Sequence, residues 1–268
     1  MEVSISGYYA WRDRPLSARA RANRELVEEI RAIHSQSRKT YGSPRIHAEL
    51  VARGFRASQN RVARLMRAAD IRAQRKKKRK RTTDSQHDYP IAPNWLNRDF
   101  QAEAPNQKWL GDITFIPTRE GWLYLAAILD LFSRKVVGWA MEDTLESSLV
   151  EQAFHMAVQN RTQVHGLLHH TDRGSQYAAG AYQRLLAAHN MQVSMSDIGD
   201  CFDNAPMESF FSTLKCEQVH FQEYLTRADA KTDIFAYIEG FYNRVRRHSS
   251  LGYLSPAEFE RLYYDNLP

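Results

Sequence analysis

The sequence predicts an α/β protein in two parts, a small all-helical module followed by a mixed β-sheet with helices on its faces. Three observations carry this. Apolar residues recur at helical spacing over roughly residues 16–70, then give way from about residue 105 to runs of β-formers separated by short turns. Charge changes over the same interval: residues 1–100 hold 23 Lys+Arg against 10 Asp+Glu, and residues 101–268 hold 14 against 21, within a net charge of +6. Between the halves lie seven consecutive basic residues and a polar stretch containing two prolines. A chain of 268 residues has room for one large domain or two smaller ones.

Composition narrows the class. Hydrophobic content of 43% and charged content of 25% are those of a soluble globular protein. No run approaches the roughly 18 apolar residues of a membrane span, so no membrane partner is expected. The start, Met1-Glu-Val-Ser-Ile-Ser-Gly-Tyr, lacks a basic region ahead of an apolar core, so no secretory signal is read. Cys201 and Cys216 form no CxxC pair and suggest no disulfide framework, which fits a reducing cytoplasm. A basic front on an acidic rear suggests polyanion binding in front and metal-dependent chemistry behind.

Residues 1–15, with Tyr8, Tyr9 and Trp11, read as a short ordered arm. Residues 16–72 read as helices. Leu26, Ile30 and Ile33 mark the first buried stripe. Ser43-Pro44 reads as an N-cap and first helical proline, with Ile46, Leu50 and Val51 inward and Gly54 as the stop. Ser58 is expected to cap a third helix with Val62, Leu65, Met66 and Ala69 inward and Arg61, Arg64 and Arg67 outward. Two helices joined by the short link Gly54–Ala57, the second lined with arginines, form a helix-turn-helix-like candidate for DNA. Residues 73–104 read as basic stretch and linker. Arg75, Lys76, Lys77, Lys78, Arg79, Lys80 and Arg81 repel one another and should stay extended until a polyanion arrives, with salt-sensitive binding. Residues 82–93 are the polar linker itself.

The second domain is expected over residues 105–268. Trp109–Pro117, Trp122–Asp130 and Lys135–Met141 read as three strands of an antiparallel meander, with Gly121 turning the chain. Ser147–Asn160 is an amphipathic helix with Leu149, Val150, Ala153 and Phe154 apolar. A short strand Gly166–His170, a helix Tyr182–Asn190, a strand Met191–Met195 and a helix Asn204–Glu217 follow, then a long helix over about Arg227–Arg244. The order β-β-β-α-β-α-β-α is an RNase H-like arrangement.

Three carboxylates carry the chemistry of this reading. Asp112 lies in mid-strand in Lys108-Trp-Leu-Gly-Asp-Ile-Thr. Asp172 lies where a strand gives way to a Gly-containing turn, in His169-His-Thr-Asp-Arg-Gly-Ser-Gln-Tyr. Glu208 lies on a helix in Cys201-Phe-Asp-Asn-Ala-Pro-Met-Glu-Ser-Phe-Phe, with 35 residues between it and Asp172. Mg²⁺ prefers carboxylate oxygen and keeps waters, so few protein ligands are needed. Two such ions about 3.5–4 Å apart clamp the attacking and leaving oxygens of an in-line phosphoryl transfer. Asn204, Glu208, Phe211 and Lys215 fall on one helical face, beside an apolar side of Met207, Phe210 and Leu214. Glu208 can then face metal while Lys215 reaches a DNA phosphate, and Asn204 orients the carboxylate or a water.

Competing readings are weaker. With 31 acidic residues, spacing alone proves little. Asp130 ends an apolar strand too, but is expected to cap the following turn through Ser133. Asp200 and Asp203 read as turn and helix-start residues, with Asp203 a natural N-cap. His169 and His170 alternate in a strand, so at most one can reach the site and the other is packed. Closely spaced cysteine pairs for zinc and a nucleophile elbow around Ser175 or Ser209 are both missing.

Five ordered stretches carry a family likeness: those around Asp112, Asp172 and Glu208, together with Leu129-Asp-Leu-Phe-Ser-Arg, and the run from Tyr242-Asn-Arg through Arg247-His-Ser-Ser-Leu-Gly-Tyr-Leu-Ser-Pro-Ala257. Across nearly its whole length the chain resembles bacterial insertion-sequence transposases, in particular the second-reading-frame product of elements that move by copy-out, paste-in. These share a retroviral-integrase-like DDE core. The resemblance implies that Asp112, Asp172 and Glu208 are catalytic metal ligands, using two Mg²⁺ ions for which Mn²⁺ can substitute. It implies 3′-end cleavage by water and attack of the freed 3′-OH on another phosphodiester, without a covalent protein–DNA intermediate. Lys215 matches the basic residue that follows the family glutamate by seven positions. The DNA partners implied are the element's terminal inverted repeats and target DNA, bound by a homo-oligomer. Related elements usually fuse this part to an upstream-frame piece with another helix-turn-helix and a leucine zipper; the sequence opens at Met1 without them, and such a partner or fusion is expected. A non-catalytic DNA-binding regulator of transposition and an RNase H-like nuclease that hydrolyses without joining are the alternatives.

Overall fold

The computed structural model of the chain describes residues 4–74, 90–161, 164–197 and 201–267. It forms two compact units, Met1–Gln74 and Arg75–Pro268.

The first unit is helical. Its arm is a helix, α1 (Ile5–Arg12), started by Ser4, whose Oγ accepts from the Gly7 N–H. Helix α2 (Ala18–Gln36) begins at Ser17, whose hydroxyl accepts from Ala20 N, and buries Leu26, Ile30 and Ile33. Helix α3 (Ser43–Ala52) departs from expectation at its start and in its buried face. Its N-cap is Gly42, and Ser43 is already helical. Ile46 and Leu50 are buried one turn apart, whereas Val51 is 53% exposed. One further residue rotates the side chain about 100° off the buried stripe, which an apolar pair such as Leu50-Val51 hides in the sequence. The link turns at Gly54, φ +84°, a conformation that favours glycine, and is tied down where His47 Nε2 lies 2.9 Å from Ala57 O. Helix α4 (Gln59–Ala68) is capped by Ser58 as read, and buries Val62, Leu65 and Met66; Ala69 is the C-cap and only half-buried.

The second unit is built on a five-stranded sheet in the order β3-β2-β1-β4-β5. Strands β1 (Lys108–Thr118), β2 (Gly121–Asp130) and β3 (Val136–Glu142) form the expected antiparallel meander, with a bulge between Ile128 and Leu129. Helix α5 (Ser147–Gln159) carries the chain to β4 (Leu168–Thr171), parallel to β1; then α6 (Ser175–Ala178) and α7 (Gly180–Ala188) lead to β5 (Gln192–Met195), parallel to β4. Parallel pairing needs these helical crossovers. One face of the sheet packs Trp109, Ala126, Ile128 and Val137 against Leu149, Ala153, Phe154 and Ala157 of α5 and Tyr182 and Leu186 of α7. At Gly138 a Cβ would stand 2.2 Å from Ala153 O and 2.6 Å from Ala157 N, so only glycine lets α5 approach β3 this closely.

The opposite face receives α8 (Ala205–Glu217) and α9 (Arg227–Phe235). A capping box at Thr226 and Asp229 starts α9. The expected single helix to Arg244 widens instead into a π-helix, Ala236–Tyr242, in which Asn243 N–H donates to Ile238 O at 3.0 Å. The wider turn buries Tyr237, Ile238, Phe241 and Tyr242 together. A last helix, α10 (Pro256–Asp265), starts at Ser255 with Pro256 in its first turn. No described helix is long and apolar enough to cross a membrane.

Candidate active site

Strand register brings the first two carboxylates together. Parallel β1 and β4 pair Leu110 with His170 and Gly111 with Thr171. One residue further stand Asp112, still in β1, and Asp172, just past the end of β4. Asp112 is half-buried, and its Oδ1 accepts from Ile113 N–H at 2.7 Å. Asp172 Oδ1 accepts from Gly174 N–H at 2.9 Å, inside the turn that ends β4. The helix bearing Glu208 reaches the same place from above β1: Asn204, the N-cap of α8, donates from Nδ2 to Gly111 O at 3.5 Å, and Glu208 lies one turn along, exposed.

Electrostatics report the same neighbourhood. Burial pushes the Asp112 carboxyl well above the usual carboxylate range; the Asp172 charge pushes it further, the Ile113 N–H opposes, and Glu208 adds to the rise while Lys215 offsets it. Burial lowers the half-buried Lys215 ammonium, against the pull of Asp112. Tyr177, buried just beyond the Asp172 turn, is held protonated by burial and by Asp112, Tyr182 and Asp172. Its proximity was not read from the sequence, although it closes the stretch quoted around Asp172.

These acids are neighbours rather than a closed cage. Among the described residues no three His, Cys, Asp or Glu side chains stand close enough to hold a metal ion. Mutual repulsion opposes closer approach of anionic groups without a cation between them. Asn204 Oδ1 is buried with no hydrogen-bond partner, an acceptor beside the carboxylates that needs a donor.

Other expectations need correction. Phe211, read on the face of Glu208, is buried, as are Met207, Phe210 and Leu214 of the adjoining side. Asp130 caps its turn, but its Oδ1 accepts from Phe132 N–H, and Ser133 instead donates to Glu260 at 2.6 Å. Asp203 is not the N-cap of α8 and accepts from Arg98, Asn94 and Asp197 N–H. Asp200 lies outside the described residues. Both histidines are buried: His169 Nε2 lies 2.7 Å from Tyr182 Oη while its Nδ1 has no partner, and His170 lies between Ser194 and Ser196. Burial and the neighbouring His170 push His169 down to about 3, so it is neutral.

Of the expected DNA contacts, Arg64 and Arg67 on α4 are exposed, while Arg61 donates to Asn23 Oδ1 at 3.0 and 2.8 Å and is partly buried. The run Arg75–Arg81 lies outside the described residues.

Comparison with known proteins agrees with this architecture. Integrase core domain models match residues 102–201 and 208–262, and an HTH-like domain model matches residues 21–79. The insertion element IS600 uncharacterized 31 kDa protein of Shigella sonnei is 43% identical over 262 residues, covering 98% of this chain and 96% of that protein. The transposase InsF for insertion sequence IS3A of Escherichia coli (strain K12) is 41% identical over 262 residues, covering 97% and 91%. A chain in the cryo-EM structure of the simian T-cell lymphotropic virus intasome with PP2A regulatory subunit B56 gamma aligns with a TM-score of 0.51 at 15% identity, covering 88% of this chain and 74% of that one, a likeness of fold. The chain belongs to the IS3 family of insertion-sequence transposases, with an integrase-type core behind a helix-turn-helix-like domain.

Proposed function

We propose that this transposase cuts the 3′ ends of its element by hydrolysis and transfers each freed 3′-OH to a second phosphodiester, with Asp112, Asp172 and Glu208 as the ligands of two Mg²⁺ ions. The observation that supports the reading is the β1–β4 register that brings Asp172 beside Asp112, a carboxylate raised by burial first and then by Asp172 and Glu208, with Lys215 the cation that offsets it. A hard divalent cation suits an all-oxygen donor set of this charge, and the orphaned Asn204 Oδ1 suits a bound water. Bound there, Mg²⁺ supplies positive charge to the attacking and leaving oxygens of the in-line transfer. Mn²⁺, with similar ligand preferences, substitutes.

The chain's own groups do the rest. The sheet holds Asp112 and the strand end holds Asp172. Glu208 is exposed on α8, and ordering its side chain costs about 1–2 kcal/mol of rotamer entropy. Asn204 Oδ1 accepts a hydrogen bond from a water and orients it. Lys215 draws a DNA phosphate toward the carboxylates. Tyr177 keeps its proton beside the carboxylates. No side chain becomes covalently attached to DNA. Arg64 and Arg67, with Arg75–Arg81, hold the DNA backbone, Arg61 contributing less. Synapsis of two ends requires a homo-oligomer on the DNA, with an upstream-frame partner or fusion contributing to end recognition.

A labelled terminal-repeat oligonucleotide incubated with Mg²⁺ tests this. Cleaved and joined products from wild type, and neither from Asp172→Asn, are expected. Equal products from both proteins would refute the carboxylate assignment; hydrolysis without joining would leave a nuclease.

A further inference from the structure

Residues 93–98 lie along the open side of the sheet. The N–H groups of Trp95 and Leu96 donate to Ser194 Oγ on the edge strand β5 at 2.9 and 3.1 Å, and Met195 N–H donates to Pro93 O at 3.4 Å. Ser194 Oγ is in turn 2.8 Å from His170 Nδ1, two residues before Asp172. The segment then turns onto the start of α8. Asn94 Nδ2 donates to Asp203 Oδ2 at 2.9 Å and Arg98 Nε donates to Asp203 Oδ1 at 3.0 Å, while Asp197 N–H donates to Oδ2 at 3.0 Å. Asp203 is 2% exposed and immediately precedes Asn204.

This set is too elaborate for its yield in stability. The Arg98 side chain is 52% exposed, and an ion pair with one partner half in water contributes about 0–1 kcal/mol. Asp203, however, is a buried carboxylate that needs its donors to stay charged and in place. Burial works against its charge, but the Asp197 N–H and Arg98 outweigh burial and hold its carboxyl below the usual range. Its position is therefore dictated by Asn94, Arg98 and Asp197, and its backbone leads directly into the turn that sets Asn204 and Glu208.

We propose that Asn94 and Arg98 are positioning residues for Glu208: through Asp203 they set the first turn of α8 and so the place of Asn204 and Glu208 beside Asp112 and Asp172. This rests on the metal-ligand reading given above. In sequence the segment follows the basic run Arg75–Arg81, so the covalent path from the helix-turn-helix-like domain to the core passes through these two residues.

The test is Mn²⁺ binding by the full chain, followed by electron paramagnetic resonance, beside thermal unfolding in chelator. Arg98→Ala and Asn94→Ala are expected to raise the Mn²⁺ concentration for half-occupancy about tenfold, as loss of a ligand's supporting partner does. Arg98→Lys, which keeps a donor and the charge, recovers most of it. Melting temperatures in chelator stay with wild type. Unchanged Mn²⁺ affinity in both alanine variants overturns the proposal, as does a loss of affinity matched by a fall in melting temperature. Asp172→Asn is the reference: if it binds Mn²⁺ as wild type does, or if wild type binds none, the metal-ligand reading fails and this proposal with it.

Discussion

Two acidic regions of the core show opposite electrostatic logic. At the far end of α8, Glu217 is fully buried and answered on every side: Arg246 donates to both its oxygens at 2.7 and 2.8 Å, and Tyr237 donates to Oε2 at 2.9 Å. Burial works against the Arg246 charge, but Glu217 outweighs it and holds the guanidinium charged. Around Glu208, nine residues earlier on the same helix, the logic reverses: Asp112 is raised by burial and by the charges of Asp172 and Glu208, with Lys215 as the offsetting cation. A paired buried acid serves the scaffold; a partly buried acid whose pKa neighbouring acids raise marks a candidate functional site. On the reading proposed above, one helix carries both a structural glutamate, Glu217, and a metal-binding one, Glu208.

The predictions break or sharpen this contrast, the largest effect first. Asp172→Asn is expected to cut joined product by on the order of 10²–10³-fold with no loss of thermal stability, measured by strand transfer beside calorimetry. A matching fall in stability would place Asp172 with the scaffold. Arg246→Ala should do the reverse through folding, costing about 3–5 kcal/mol in urea unfolding, because it strands a buried carboxylate. An effect under 1 kcal/mol would erase the distinction.

A third test uses pH. The folded state raises the Asp112 pKa above its unfolded value, so the protonated form is favoured by folding. That contribution is fully present below the unfolded carboxylate pKa, about 3.9, and is lost as pH rises through the raised folded value. In chelator, wild type should therefore lose melting temperature relative to Asp112→Asn as pH climbs above the ordinary carboxylate range. Added Mg²⁺ should reverse this for wild type alone. Parallel curves for the two proteins would contradict the crowding argument. The smallest effects lie outside the core: Arg64→Ala or Arg67→Ala should each lower the salt slope of DNA binding by about 1, and Arg61→Ala by less, since Asn23 already holds its guanidinium. Equal slopes for all three would show that exposure on α4 does not select the contacts.

Much of this was legible in the amino-acid order. Alternating β-formers announced the three-strand meander, and Ser58 reads as a cap; Ser17 and Thr226, not read so, start helices by the same local device, a side-chain hydroxyl on a backbone N–H. The breaks came where neighbours in space overrule neighbours in sequence. Val51 looks buried until the helix phase is known. Asp203 has the look of an N-cap, yet Asn94 and Arg98, both from residues taken for linker, claim its carboxylate. The π-helix at Ala236–Tyr242 has no local signature; it forms because four large side chains find room inward together.

The order of residues by itself determined the two-part design and most strand and helix types, and it nominated the three acids, because periodicity, capping and charge are local properties. Only the tertiary structure decided that β4 pairs beside β1 in the register that sets Asp172 next to Asp112, and that residues 93–98 clamp the turn before Glu208. Both depend on contacts between residues tens to about a hundred positions apart, whose closure is rewarded only once the whole sheet exists.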